Sequence, residues 1–116
     1  MGKLTTHVLD TASGRPAAGV AIKLFATGNA PRLLAEALTN ADGRCEKPLL
    51  EGEALERGVY VLDFAIADYF RAQGVALSEP PFLDHVAIAF GVANAGAHFH
   101  VPLLVSPYGY TTYRGS

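Results

Sequence analysis

Apolar residues recur along the chain in short runs with a period of two, and Gly, Pro, Asn and Asp separate one run from the next. That punctuation belongs to an all-β domain rather than to alternating βαβ units. Strands are expected over 4–9, 20–25, 59–67, 85–92 and 98–106, with weaker strands over Leu33–Leu38 and Gly109–Tyr113. Asp10 to Gly14 reads as a turn, and so does Asn40-Ala41-Asp42-Gly43, where the glycine takes a positive φ without a Cβ clash. One short helix is predicted over Ala67–Gln73 with Gly74 as its stop, after which Pro80-Pro81 holds the chain extended.

The same period assigns side chains to faces. In the first strand Leu4, Thr6 and Val8 point one way and Thr5, His7 and Leu9 the other. The strand over 98–106 divides more sharply: Phe99, Val101, Leu103 and Val105 form a wholly apolar face, opposite His98, His100, Pro102 and Leu104. The apolar face must be core, which turns His98 and His100 outward. Pro102 brings no N–H to a ladder, so this strand is expected at a sheet edge or at a bulge.

Length and charge narrow the class. A chain of 116 residues, 50% of them hydrophobic, fits a single domain over 1–116 and is apolar enough to gain by self-association. Cys45 is the only cysteine, so no intrachain disulfide can form and a cysteine-rich zinc site is excluded. With a net charge of −2, a pI near 6.0 and no run of Lys or Arg, the chain lacks the electrostatic footprint of a nucleic-acid binder. MGKLTTHVLD enters a strand pattern at once, and no long uncharged apolar span follows, which argues against a membrane and for a cytoplasmic location.

Chemistry concentrates in the histidines. His7 alone is an ordinary strand histidine, whereas His98-x-His100 sends two imidazoles to one side of a strand. Three histidines can bind zinc and leave a position for water, but no nearby motif supplies the carboxylate that usually orients such ligands. Two neutral imidazoles that activate a water without metal are preferred, since the ordinary histidine pKa of about 6.5 suits proton transfer near neutrality. Arg44, just after the Asp42-Gly43 turn, reads as a solvated turn residue or as a planar fork for a carbonyl-rich ligand. Tyr113 offers a flat ring, and Ser116 a hydroxyl and terminal carboxylate, to a ligand, a water or a histidine. Glu51, Glu53 and Glu56 read as a solvated edge, His85 ranks last among the histidines, and Cys45 has no activating arrangement.

Two segments are more specific than any of these features: Leu4-Thr-Thr-His7-Val-Leu-Asp-Thr-Ala-Ser-Gly-Arg-Pro-Ala-Ala-Gly19 and His98-Phe-His100-Val-Pro-Leu-Leu-Val-Ser-Pro-Tyr-Gly-Tyr-Thr-Thr-Tyr-Arg-Gly-Ser116. They resemble the signature segments of the 5-hydroxyisourate hydrolases, the transthyretin-related enzymes, and Thr39-Asn-Ala-Asp-Gly-Arg44 resembles a third. The resemblance covers essentially the whole chain and is weakest over 45–58. It implies an all-β, transthyretin-like (prealbumin-like) eight-stranded sandwich with one short helix. It further implies a homotetramer whose active sites open at the dimer–dimer interface.

By motif position the resemblance assigns catalysis to His7, Arg44, His100 and Ser116, and places Tyr113, Arg114, Gly115 and His98 against the substrate. The implied reaction opens 5-hydroxyisourate to 2-oxo-4-hydroxy-4-carboxy-5-ureidoimidazoline by water attack on a ring carbonyl, without a cofactor. Arg44 would hold the substrate and its oxyanion. The competing readings are a transthyretin-like carrier of a small aromatic ligand and a zinc-dependent hydrolase.

Overall fold

The runs of alternating residues resolve into two sheets packed face to face. The computed structural model describes residues 1–115. Its strands are β1 (Lys3–Asp10), β2 (Arg15–Pro16), β3 (Ala21–Ala26), β4 (Arg32–Leu38), β5 (Leu50–Glu51), β6 (Gly58–Phe64), β7 (Val86–Val92), β8 (His98–Ser106) and β9 (Gly109–Thr112), with one helix, α1 (Ile66–Ala72). One sheet runs β2-β1-β8-β9 with β5 also on β1, and the other runs β4-β3-β6-β7. Seven of these are the strands that alternation predicts, and the other two, β2 and β5, each of two residues, are too short to leave a periodic signature.

Strand pairing is antiparallel except between β1 and β8, which run parallel from Lys3↔His98 to Asp10↔Val105. The parallel register matters most for function, since it sets Thr5 beside His100. It also corrects the expectation for Pro102, because β8 lies inside its sheet, between β1 and β9. The β9 ladder ends at Leu103↔Thr112, and the Thr112 hydroxyl donates to the Pro102 carbonyl at 2.8 Å. An N–H at residue 102 would point to the same side as that carbonyl, beyond the end of the ladder, so the proline removes no sheet bond.

The inner faces are those the alternation predicts. Leu4 and Val8 of β1, Phe99, Val101, Leu103 and Val105 of β8, and Ile22, Leu24, Leu62 and Phe64 from the facing sheet are buried in one apolar cluster. Helix α1 adds Ile66, Tyr69 and Phe70, spaced so that they share a stripe against that cluster. Gly74, at φ 82°, ends the helical segment as its missing Cβ allows. Two buried hydroxyls are accounted for: Thr6 donates to Val101 O at 2.6 Å and Thr39 to Ala17 O at 2.6 Å. Among the described residues no helix is long and apolar enough to cross a membrane.

Candidate active site

The outer face of the β1–β8 pair carries the polar residues that the inner face excludes. Thr5 and His7 project from β1, and His98 and His100 from β8, because odd positions of one strand and even positions of the other share that face in this register. The Thr5 hydroxyl lies 3.0 Å from His98 Nε2 and 2.8 Å from His100 Nδ1. Thr5 therefore bridges both imidazoles of the His-x-His pair, a contact the histidine pattern alone does not announce.

Arg44 reaches this face through a turn built for close approach. Asn40 organises it: its Oδ1 accepts from the N–H groups of Asp42 at 2.9 Å and Arg44 at 3.1 Å, and its own N–H donates to Arg44 O at 2.7 Å. Gly43 sits at φ 76° with its carbonyl accepting from Val8 N at 2.7 Å, and a Cβ there would collide with the Val8 carbonyl. The turn is thereby pressed onto β1, where Arg44 bridges to His7. His7 Nε2 donates to Asp42 O at 2.8 Å. A carbonyl only accepts, so the Nε2 proton is set and, in the neutral ring, Nδ1 keeps its lone pair.

From the other side, Gly115 closes on His100. Gly115 N donates to His100 O at 2.7 Å, and a Cβ on Gly115 would stand 2.6 Å from His100 Cδ2. Only a glycine lets the chain lie against that ring. Arg114 donates to His98 O at 3.3 Å while its guanidinium stacks 4.2 Å from the centre of the Phe99 ring.

A pocket of about 330 Å³ opens on this face, lined by Thr5, Arg44, Cys45, Lys47, His98 and His100. Among the described residues its charged lining is cationic, which suits an anionic or carbonyl-rich guest. Burial first, and then the neighbouring charges of Arg44, His7 and His98, push the His100 pKa below the ordinary histidine value of 6.5. His100 is thus held neutral, as a base must be, down to lower pH than a free imidazole. Burial raises the Cys45 thiol, which keeps it protonated and unsuited to attack. Among the described residues no three His, Cys, Asp or Glu side chains gather as a metal site.

The structure brings His7, Arg44, His98, His100 and Gly115 together and separates Tyr113 from them. Tyr113 and Arg114 line a second, more apolar pocket of about 450 Å³ with Phe90, Phe99 and Thr112. Ser116 lies outside the described residues. His85, which ranked last, pairs through Nδ1 with Asp63 Oδ1 at 3.0 Å on the other sheet. Sequence reading missed Thr5 and Lys47. Thr5 shares the outward face with His7, a signal that becomes specific only once β1 is known to pair with β8; Lys47 sits in an irregular stretch with no periodicity to read.

Comparison with known proteins places the chain in a family. The model of the HIUase/Transthyretin family matches residues 4–115. A 5-hydroxyisourate hydrolase of Ralstonia nicotianae is 62% identical over the full length of both chains. Among solved structures, 5-hydroxyisourate hydrolase of Klebsiella pneumoniae superposes with a TM-score of 0.83 at 34% identity, over 100% of both chains. Sea bream transthyretin in complex with thyroxine gives 0.87 at 28% identity, over 97% of this chain and 94% of its own.

Proposed function

The chain belongs to the HIUase/transthyretin family, and from that premise we propose that it hydrolyses 5-hydroxyisourate to 2-oxo-4-hydroxy-4-carboxy-5-ureidoimidazoline in urate degradation. The observation that carries this reading is the convergence of His98, His100, Thr5 and Arg44 on one cationic pocket, with His7 bridged to Arg44. A water between His7 and His100 loses a proton to an imidazole as its oxygen bonds to a ring carbonyl carbon. The adjacent ring C–N bond breaks, and the same proton goes to the departing nitrogen. Arg44 donates paired N–H groups to the developing oxyanion, a role worth a few kcal/mol when the donors are preorganised. Lys47 adds positive charge at the same pocket. No cofactor enters this scheme.

Arg114 and Gly115 act here through the backbone of His98 and His100, which they clamp. Ser116 is assigned the orientation of the water or of His7 through its hydroxyl. Tyr113 shapes the substrate space from the neighbouring subunit's side once the chain assembles. The assembly proposed is a homotetramer with its sites at the dimer–dimer interface. Supporting it, β7 and β9 are both end strands of their sheets, and the apolar pocket holding Phe90 and Tyr113 lies between them. Unpaired edges of this kind invite a second copy. Light scattering should then give about four times the 12.2 kDa chain mass. A cytoplasmic location is proposed because the free Cys45 thiol suits a reducing compartment.

The direct test generates 5-hydroxyisourate in situ with urate oxidase and follows its near-ultraviolet absorbance with and without the protein, in the presence of chelator. Accelerated decay is expected. Decay no faster than the spontaneous reaction would move the carrier reading, which the thyroxine-bound relative favours, to first place.

A further inference from the structure

The Thr5 hydroxyl has one proton and two lone pairs, yet it stands within hydrogen-bond distance of two imidazole nitrogens, His98 Nε2 at 3.0 Å and His100 Nδ1 at 2.8 Å. Both contacts are hydrogen bonds, with the hydroxyl proton used inside the cluster, only if one ring donates to Oγ1 and the other accepts from it. The consequence is a tautomer rule. If His98 donates from Nε2, then His100 accepts at Nδ1, and both neutral rings carry their proton on Nε2. If His100 donates from Nδ1, then His98 accepts at Nε2, and both rings carry their proton on Nδ1. With its proton used inside the cluster, the hydroxyl makes the two histidines match.

Only the second arrangement leaves a lone pair on His100 Nε2, the ring nitrogen that carries no hydrogen bond among the described residues. The geometry points to Thr5 as a positioning residue that locks His98 and His100 in the Nδ1-protonated form and relays a proton between them. The inference rests on the hydrolase reading for its kinetic consequence, and on the bond geometry alone for the tautomers.

The relay balances. His100 Nε2 takes a proton from the attacking water. The Nδ1 proton of His100 then passes to Thr5 Oγ1, and the hydroxyl's own proton passes to His98 Nε2. Positive charge now sits on exposed His98, whose ring centre is 6.4 Å from that of His100, instead of on the more buried ring. His100 is again neutral, with the water's proton on Nε2. When the ring nitrogen departs, the reverse shift along Thr5 returns a proton to His100 Nδ1 as His100 Nε2 gives its proton to that nitrogen, which restores the starting state. Burial and the charge of Arg44 oppose a cation at His100, which gives the transfer its direction.

Thr5→Val keeps the shape and the strand preference and removes the hydroxyl, whereas Thr5→Ser keeps the hydroxyl. Loss of a positioned proton carrier should lower kcat roughly 10- to 100-fold in Thr5→Val with KM within about twofold, and Thr5→Ser should recover most of it. Two-bond 1H–15N correlations at a pH where both rings are neutral should show Nδ1 protonation on His98 and on His100 in the wild type, and loss of that match in Thr5→Val. This spectrum needs no turnover, so it stands even if the substrate is another molecule. Nε2 protonation on either wild-type ring, wild-type kcat in Thr5→Val, or Thr5→Ser no better than Thr5→Val would each overturn the relay.

Discussion

Strand β1 carries two polar clusters, and they behave oppositely. At its C-terminal end Asp10, 3% exposed, uses Oδ1 to accept from Ala12 N at 2.9 Å and Ser13 N at 3.0 Å, and Oδ2 to accept from Tyr69 OH at 2.7 Å. Burial acts to raise the Asp10 carboxyl, but the bonds from Tyr69, Ser13 and Ala12 together outweigh it and hold the pKa below the ordinary value. Burial, and then the bond to Asp10, push the Tyr69 phenol up to about 12. Both oxygens are occupied by parts of the fold, so the cluster docks α1 on β1 and has nothing left to offer a ligand. Nearer the N-terminus, Thr5 and His7 stand with His98, His100 and Arg44 in a group whose bonds among the described residues leave His7 Nδ1, His100 Nε2 and the guanidinium available. Spare hydrogen-bonding capacity at a pocket, rather than polarity against the core, separates a site from a strut.

The comparison breaks most visibly at the histidines. His100→Asn or His7→Asn should reduce kcat/KM by about 10² to 10⁴ while the melting temperature stays within a few degrees, as absorbance decay and calorimetry would show. A comparable loss in melting temperature would make the cluster a strut after all. Arg44→Gln should cost about 10² to 10³ in kcat, the usual loss of an oxyanion donor. It should also move the acid limb of the pH profile upward, because one of the positive neighbours that depress His100 is gone. Gly115→Ala puts a Cβ 2.6 Å from the His100 ring, so activity should fall roughly tenfold through misplacement of the base, with KM less affected.

The smallest effect belongs to the strut. Tyr69→Phe should cost about 1 to 3 kcal/mol of stability, from the lost bond to a buried carboxylate, and leave turnover unchanged. Its signature is in pH. Because the folded Asp10 pKa is depressed, its stabilisation is present above the unfolded value and is lost as pH falls from about 4 through the folded pKa. Because the folded Tyr69 pKa is raised, its stabilisation is complete below about 10 and is lost as pH rises toward about 12. Denaturant titrations should show both limbs flattened in Tyr69→Phe, and unchanged limbs would sink the assignment.

Much of this was legible from residue order. Alternation separated Phe99, Val101, Leu103 and Val105 from His98 and His100, because burying one sheet face imposes a period of two whatever the partners are. The Asn40 to Gly43 turn and the Gly74 stop were legible because positive φ selects glycine locally. Pro102 was misplaced for the converse reason: whether a missing N–H matters depends on where a neighbouring strand ends, which no local pattern records. Tyr113 belongs by sequence to the site motif, and within its own chain it lines the apolar pocket together with Phe90 and Phe99.

By itself, then, the sequence determined which side chains face outward and which turns can form, since both follow from backbone geometry within a few residues. Tertiary structure alone decided that Thr5 touches His98 and His100, 93 and 95 positions away. That contact depends on the parallel register of β1 on β8, and a shift by two residues would preserve every buried face while dissolving the site.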